Sequence, residues 1–169
     1  MRRKKEYNFK KASIWFDVVM AVFLVSVFIY CLLSIFFDGA SRFVLLVLII
    51  PAFLLWFQAY VIFITIQFNN ADNGKQIIID DLGDNMIVIQ HDEQININRD
   101  EIDLVEIHEQ KSLGKFGTYN YMVIVLKSAV KITITQFTVP LLAYDNIMQS
   151  FLREKPRQYY KKTFNYIRL

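Results

Sequence analysis

The chain has 169 residues, of which 54% are hydrophobic and 21% charged, and its formal net charge is +3. A single cysteine excludes a disulfide framework, and two histidines offer little for a metal site. The longest apolar runs lie in the N-terminal part, so what remains amounts to about one soluble domain.

Residues 1–12 form a basic leader in which Arg2, Arg3, Lys4, Lys5, Lys10 and Lys11 oppose only Glu6. An excess of Lys and Arg beside a membrane span marks the cytoplasmic side. Such side chains also attract anionic headgroups at about 1 kcal/mol each. Arg2, Arg3, Lys4 and Lys5 are therefore candidate membrane-surface contacts.

Two apolar blocks follow, Ser13–Phe37 and Phe43–Phe68, joined by Asp38-Gly39-Ala40-Ser41-Arg42. Crossing a hydrocarbon core takes about 20 mostly apolar residues, and both blocks reach that length. In lipid the backbone must satisfy its own hydrogen bonds, which predicts helices despite many β-branched residues. The short joint returns the second helix antiparallel to the first. A signal peptide is excluded by the length of the first block and by its ending Ser34-Ile35-Phe36-Phe37. Lipidation at Cys31 is excluded by the bulky Phe28-Ile29-Tyr30 before it. Asp17, early in the first block, is expected to reach the interface or pair with Lys10 or Lys11. Pro51 is expected to kink the second helix, and Gln58 to sit near mid-span, able to bond across the hairpin. Two helices enclose no pore by themselves.

After Asn69–Gly74, a polar linker, strand signals begin. Lys75–Asp80, Met86–Gln90 and Gln94–Asn98 read as a three-strand meander. Asn98-Arg99-Asp100-Glu101 reads as a capping box, a short helical turn that feeds a fourth strand ending near Gln110. Lys111–Thr118 is the longest loop, and Lys111, Leu113, Lys115 and Phe116 make it the candidate partner-binding surface. Tyr119–Lys127, with an apolar centre buried on both faces, and Val130–Thr135 form a hairpin. Pro140 is expected to open a helix whose stripe is Leu141, Tyr144, Ile147, Met148, Phe151 and Leu152.

The run Ile95–Ile107, the strands Tyr121–Leu126 and Val130–Thr135, and the helix Leu141–Leu152 resemble bacterial pleckstrin-homology-like (bPH) domains. The layout as a whole is similar to YcxB-like proteins, which carry such a domain on a two-helix membrane anchor. The resemblance implies a small antiparallel β-barrel or sandwich capped by one C-terminal helix.

Lipid-binding relatives of that fold gather basic residues on the first hairpin, whereas Asp80, Asp81 and Asp84 stand here. From Asp72 to Ser150 twelve acids oppose six bases, so the domain is expected to be repelled by anionic lipid and by nucleic acid. The complementary charge lies in a basic aromatic tail at 154–169. There Arg157, Tyr159, Tyr160, Lys161 and Lys162 are further candidate membrane-surface contacts. His91 and His108 are read as surface residues, and no phosphate loop, nucleophile elbow or zinc motif occurs. The expected organisation is a leader at 1–12, a transmembrane hairpin at 13–68 (13–37 and 43–68), a PH-like domain at 72–153 and the tail. The expected function is a non-enzymatic interaction or scaffold protein of the bacterial inner membrane, with both termini cytoplasmic and no cofactor. Its expected partners are the bilayer and an unidentified protein, with homo-oligomers possible and no nucleic acid. The alternative is a subunit of an oligomeric transport or envelope-stress assembly.

Overall fold

The computed structural model describes residues 4–38, 42–80, 84–111, 119–140 and 145–167. The chain divides into two compact units, one of Met1–Ala12 with Gln67–Leu169 and one of Ser13–Ile66.

The Ser13–Ile66 unit holds two helices, α1 (Trp15–Asp38) and most of α2 (Arg42–Asp72). Both are long and apolar enough to cross a membrane. Phe23, Tyr30 and Phe36 of α1 are 59, 72 and 83% exposed, and Phe53 and Trp56 of α2 are also exposed. Pro51 lies inside α2. Gln58 Nε2 donates to Asp17 Oδ1 at 2.7 Å and to the Asp17 carbonyl at 3.2 Å. Within this unit Asp17 is therefore bonded to Gln58. Gln58 thus bonds across the helical pair, to the first turn of α1.

The other unit is built from strands that precede and follow the two helices in sequence. β1 (Lys4–Asn8) pairs antiparallel with β2 (Gln76–Asp80), Tyr7 opposite Ile77. β3 (Asn85–Gln90) and β4 (Glu93–Asn98) complete a sheet of order β1-β2-β3-β4. His91 and Asp92, with φ of 50° and 65°, form the two-residue turn between β3 and β4. Positive φ at both positions is what a type I′ hairpin requires. The short helical turn is a 3-10 turn at Arg99–Glu101 with the full capping box on Asn98.

β5 (Ile102–Gln110), β6 (Tyr121–Leu126) and β7 (Lys131–Thr135) form a second antiparallel sheet. Strand β8 (Arg157–Lys162) then adds to β5 in parallel, giving the order β7-β6-β5-β8. These are two four-stranded sheets rather than a closed barrel. Ile77, Ile79, Met86, Val88 and Ile97 of the first sheet share a core with Val105, Ile107, Met122, Ile124 and Ile134 of the second. As expected, β6 is largely buried on both faces.

α3 (Asn146–Phe151) adds Met148 and Phe151 to the core, with Leu152 just beyond. It starts later than Pro140 predicts, because Asp145 is its N-cap and accepts from the amides of Ile147 and Met148. Leu141 and Tyr144 of the expected stripe lie outside the described residues.

The expected leader and tail are therefore not separate segments among the described residues. Lys4–Asn8 is an edge strand, and Arg157–Lys162 closes the other sheet. Their bases alter the charge balance too. The unit of 1–12 and 67–169 carries eighteen Lys and Arg against fourteen Asp and Glu, so it is basic, not acidic.

Candidate functional site

Side chains alternate along β-strands, so the residues between the core positions of the second sheet face away from the core. On that outer face lies a groove of about 510 Å³, lined from β5 by Glu106 and His108, from β6 by Tyr121 and Val123, and from β7 by Lys131 and Thr133. Tyr160 and Lys162 of β8 complete its lining.

The floor is an aromatic row set by the strand register. His108 is opposite Tyr121 on one side and Tyr160 on the other. Its imidazole stacks on Tyr121 at 4.3 Å and on Tyr160 at 4.7 Å, with interplanar angles of 5° and 12°. Glu106 Oε2 lies 3.4 Å from His108 Nε2. Far from being a surface residue, His108 is buried, whereas His91 is exposed at its turn.

One end of this face is closed by the last turn of α2 and by the chain after β8. Phe68 meets Tyr119, Tyr121 and Phe137 edge-on at 5.4, 5.9 and 5.6 Å. Asn165 Nδ2 donates to the carbonyls of His108 and Tyr119, and Tyr121 Oη donates to the Tyr166 carbonyl. The groove thus combines a stacked aromatic floor with two lysines and a carboxylate in its lining. That chemistry suits recognition of a mixed polar and aromatic surface.

The residues expected at the membrane surface take several roles. Lys5 pairs with Asp145 at 2.8 Å, and Tyr7 donates to the same carboxylate at 2.5 Å. Burial alone raises the Asp145 carboxyl, but hydrogen bonds from Lys5, the Met148 amide and Tyr7 hold it below its ordinary value. Burial first, and then the bond to Asp145, pushes the Tyr7 phenol well above its ordinary value. Arg157 donates to Gln149 Oε1 and to the Leu152 carbonyl, so it ties β8 to α3. Lys161 lies 3.7 Å from Glu109, Tyr160 and Lys162 line the groove, and Lys4 and Tyr159 are exposed. Arg2 and Arg3 lie outside the described residues, as do Leu113, Lys115 and Phe116 of the expected partner loop. Lys111 is exposed where that loop begins. Among the described residues no group of three His, Cys, Asp or Glu side chains is placed to hold a metal ion.

A family model described as a PH domain matches residues 2–146. The chain belongs to the PH domain family. The match begins before α1 and ends in α3, so the two apolar helices fall within it, between the first and second strands of the PH domain. No curated protein and no solved structure matches the chain. Sequence reasoning missed the groove because two of its residues sit on β8, which reads as a tail. The weak signal was Tyr160 and Lys162 at a spacing of two, facing one side of an extended segment.

Proposed function

We propose that this protein is a membrane-anchored, non-enzymatic interaction protein that holds its PH domain against the inner leaflet of a bacterial plasma membrane. The observation that carries this reading is the pairing of β1 with β2 across the helical insertion. Both ends of an insertion flanked by paired strands must emerge on one side of a bilayer, which two crossings achieve. The exposed apolar surfaces of α1 and α2 favour lipid as their surroundings. The Lys and Arg concentrated in the domain favour the cytoplasmic face for both termini. The groove over the His108 stack is then the surface offered to a protein partner, with the exposed Lys4 and Tyr159 available to headgroups.

The bond between Gln58 and Asp17 satisfies the two polar side chains that a transport path would use, which weighs against the assembly alternative.

The test is topology together with capture. An epitope at residue 40 of the full chain should be reachable from outside intact spheroplasts, whereas a C-terminal epitope should not. Release of the chain by alkaline carbonate, or both epitopes on one side, would overturn the anchoring. A photocrosslinker at Lys162 or Lys131 should then trap a protein that one at Asp103 does not. Equal capture from all three positions would remove the groove from the proposal.

A further inference from the structure

Each sheet has two edge strands, and an unprotected edge is a template for another strand. Three of the four edges are blunted. β1 carries Lys4, Lys5 and Glu6, and β8 carries Arg157, Lys161 and Lys162. On β7 the outward Thr133 carbonyl accepts from Lys75 Nζ and the outward Thr135 amide donates to Asp72 Oδ2. The fourth edge, β4, has one charge, Glu93 beside the turn, and continues Gln94-Ile95-Asn96-Ile97-Asn98 with no further charge and no proline. All of these residues except Ile97 are exposed, and Ile95 is a 38% exposed aliphatic side chain.

The hairpin geometry fixes which backbone groups face outward. Flanking a two-residue turn, Gln90 and Glu93 form a hydrogen-bonded pair, so the bonded pairs continue at Val88–Ile95 and Met86–Ile97. Two other bonds agree with this parity. The Arg99 amide donates inward to the Asp84 carbonyl, and the Asn98 amide turns outward to Glu101 Oε2. The amides and carbonyls of Gln94 and Asn96 therefore point away from β3, and no described residue bonds them on that side.

We propose that β4 is a homotypic docking edge, on which a second copy of this chain adds its own β4 antiparallel about a twofold axis at Ile95. In that register Gln94 of one copy meets Asn96 of the other, and the reverse. All four outward backbone groups of each copy are then used, while the Asn98 amide keeps its bond to Glu101. The two Ile95 side chains face each other in a non-hydrogen-bonded pair, where cross-strand side chains approach most closely. On the opposite face Gln94 and Asn96 form a neutral amide ladder. A twofold interface must be self-complementary: about Ile95 the run Gln94–Asn96 pairs with itself, and Ile97 lies opposite Glu93 of the other copy. The inference does not depend on membrane anchoring and is tested separately from it.

The experiment uses the full chain in the Cys31→Ala background, oxidised with copper phenanthroline in native membranes and again after purification in detergent. Ile95→Cys should form a disulfide-linked dimer in both, because Cβ atoms in such a pair lie about 4.5–5.5 Å apart. Asn96→Cys should crosslink at least tenfold less, since its counterpart in the other copy sits on a diagonal about 7–8 Å away. The unsubstituted chain should have the mass of a dimer by light scattering, and Ile95→Lys should convert it to a monomer. A monomeric unsubstituted chain overturns the proposal. So does crosslinking that is equal at the two positions, or crosslinking of Ile95→Cys only to a different protein.

Discussion

Lys75 Nζ lies 2.7 Å from Asp72 Oδ1, and neither side chain is more than 2% exposed. Both ions are saturated. Lys75 donates also to the carbonyls of Ala71 and Thr133, and Asp72 accepts from the Thr135 amide and the hydroxyls of Thr135 and Thr138. The pair joins the last turn of α2 to the edge of β7. Removing one partner of a buried pair strands the other charge, so Asp72→Ala should cost about 3–5 kcal/mol. Replacing an isolated buried pair with apolar residues is often neutral. Here Asp72→Leu with Lys75→Met would leave the Thr133 carbonyl and Thr135 amide without partners, at about 1–3 kcal/mol each. The double variant should therefore remain clearly destabilised in denaturant unfolding of the detergent-solubilised chain. Recovery to wild-type stability would show that the pair does not cap the edge.

Tyr7 and Asp145 make stability depend on pH at both extremes. The folded Asp145 carboxyl is held low, so its contribution is present at neutral pH and is lost as pH falls through that lowered value, below 3.8. The folded Tyr7 phenol is raised, so its contribution is complete below pH 10.0 and declines as pH rises beyond it. Tyr7→Phe should cost about 1.5–3 kcal/mol at pH 7, the worth of a hydrogen bond to a charged group. It should also flatten the alkaline fall in melting temperature between pH 9 and 11. A fall of unchanged steepness in Tyr7→Phe would assign it to other groups.

Legibility followed the range of the interactions. β2 to β7 were readable because Ile77–Ile79, Ile95–Ile97 and Ile132–Ile134 alternate or cluster locally, and the capping box at Asn98 marks the turn between the sheets. β1 was not readable: in Lys4-Lys5-Glu6-Tyr7-Asn8 one aromatic supplies no periodicity, and its pairing partner lies beyond both helices. β8 was hidden for the same reason, since Arg157–Lys162 gains its order from β5. Mistaking both edge strands for flanking segments inverted the charge assigned to the domain. It also concealed the groove, whose stacked floor needs Tyr160.

Asp17 and Gln58 offer a measurement inside the helical pair. Gln58→Leu removes the 2.7 Å bond and leaves the Asp17 carboxylate without it. Interhelical hydrogen bonds in bilayers average under about 1 kcal/mol, so the cost should be modest. Asp17→Asn keeps a side chain able to bond Gln58 and should cost less than Gln58→Leu. Steric-trapping stability of the chain in bicelles would read the difference. The reverse order would mean that the Asp17 charge, not its bond to Gln58, is what matters.

The parallel addition of β8 to β5 predicts an alternating pattern of amide protection. The Val105 amide donates to the Pro156 carbonyl and the Lys111 amide to the Lys162 carbonyl. By alternation, Ile107 and Glu109 also direct their amides toward β8, whereas Glu106 and His108 direct theirs toward β6. A chain ending at Lys155 should therefore exchange rapidly at 105, 107, 109 and 111 while 106 and 108 stay protected. Tyr160→Ala keeps the β8 backbone and removes one face of the His108 stack, worth about 0.5–1.5 kcal/mol beyond its buried area. It should lower the melting temperature without the alternating loss. Uniform exchange across β5 in the truncated chain would instead mean that β8 is required for the sheet to fold, and that the groove and the sheet stand or fall together.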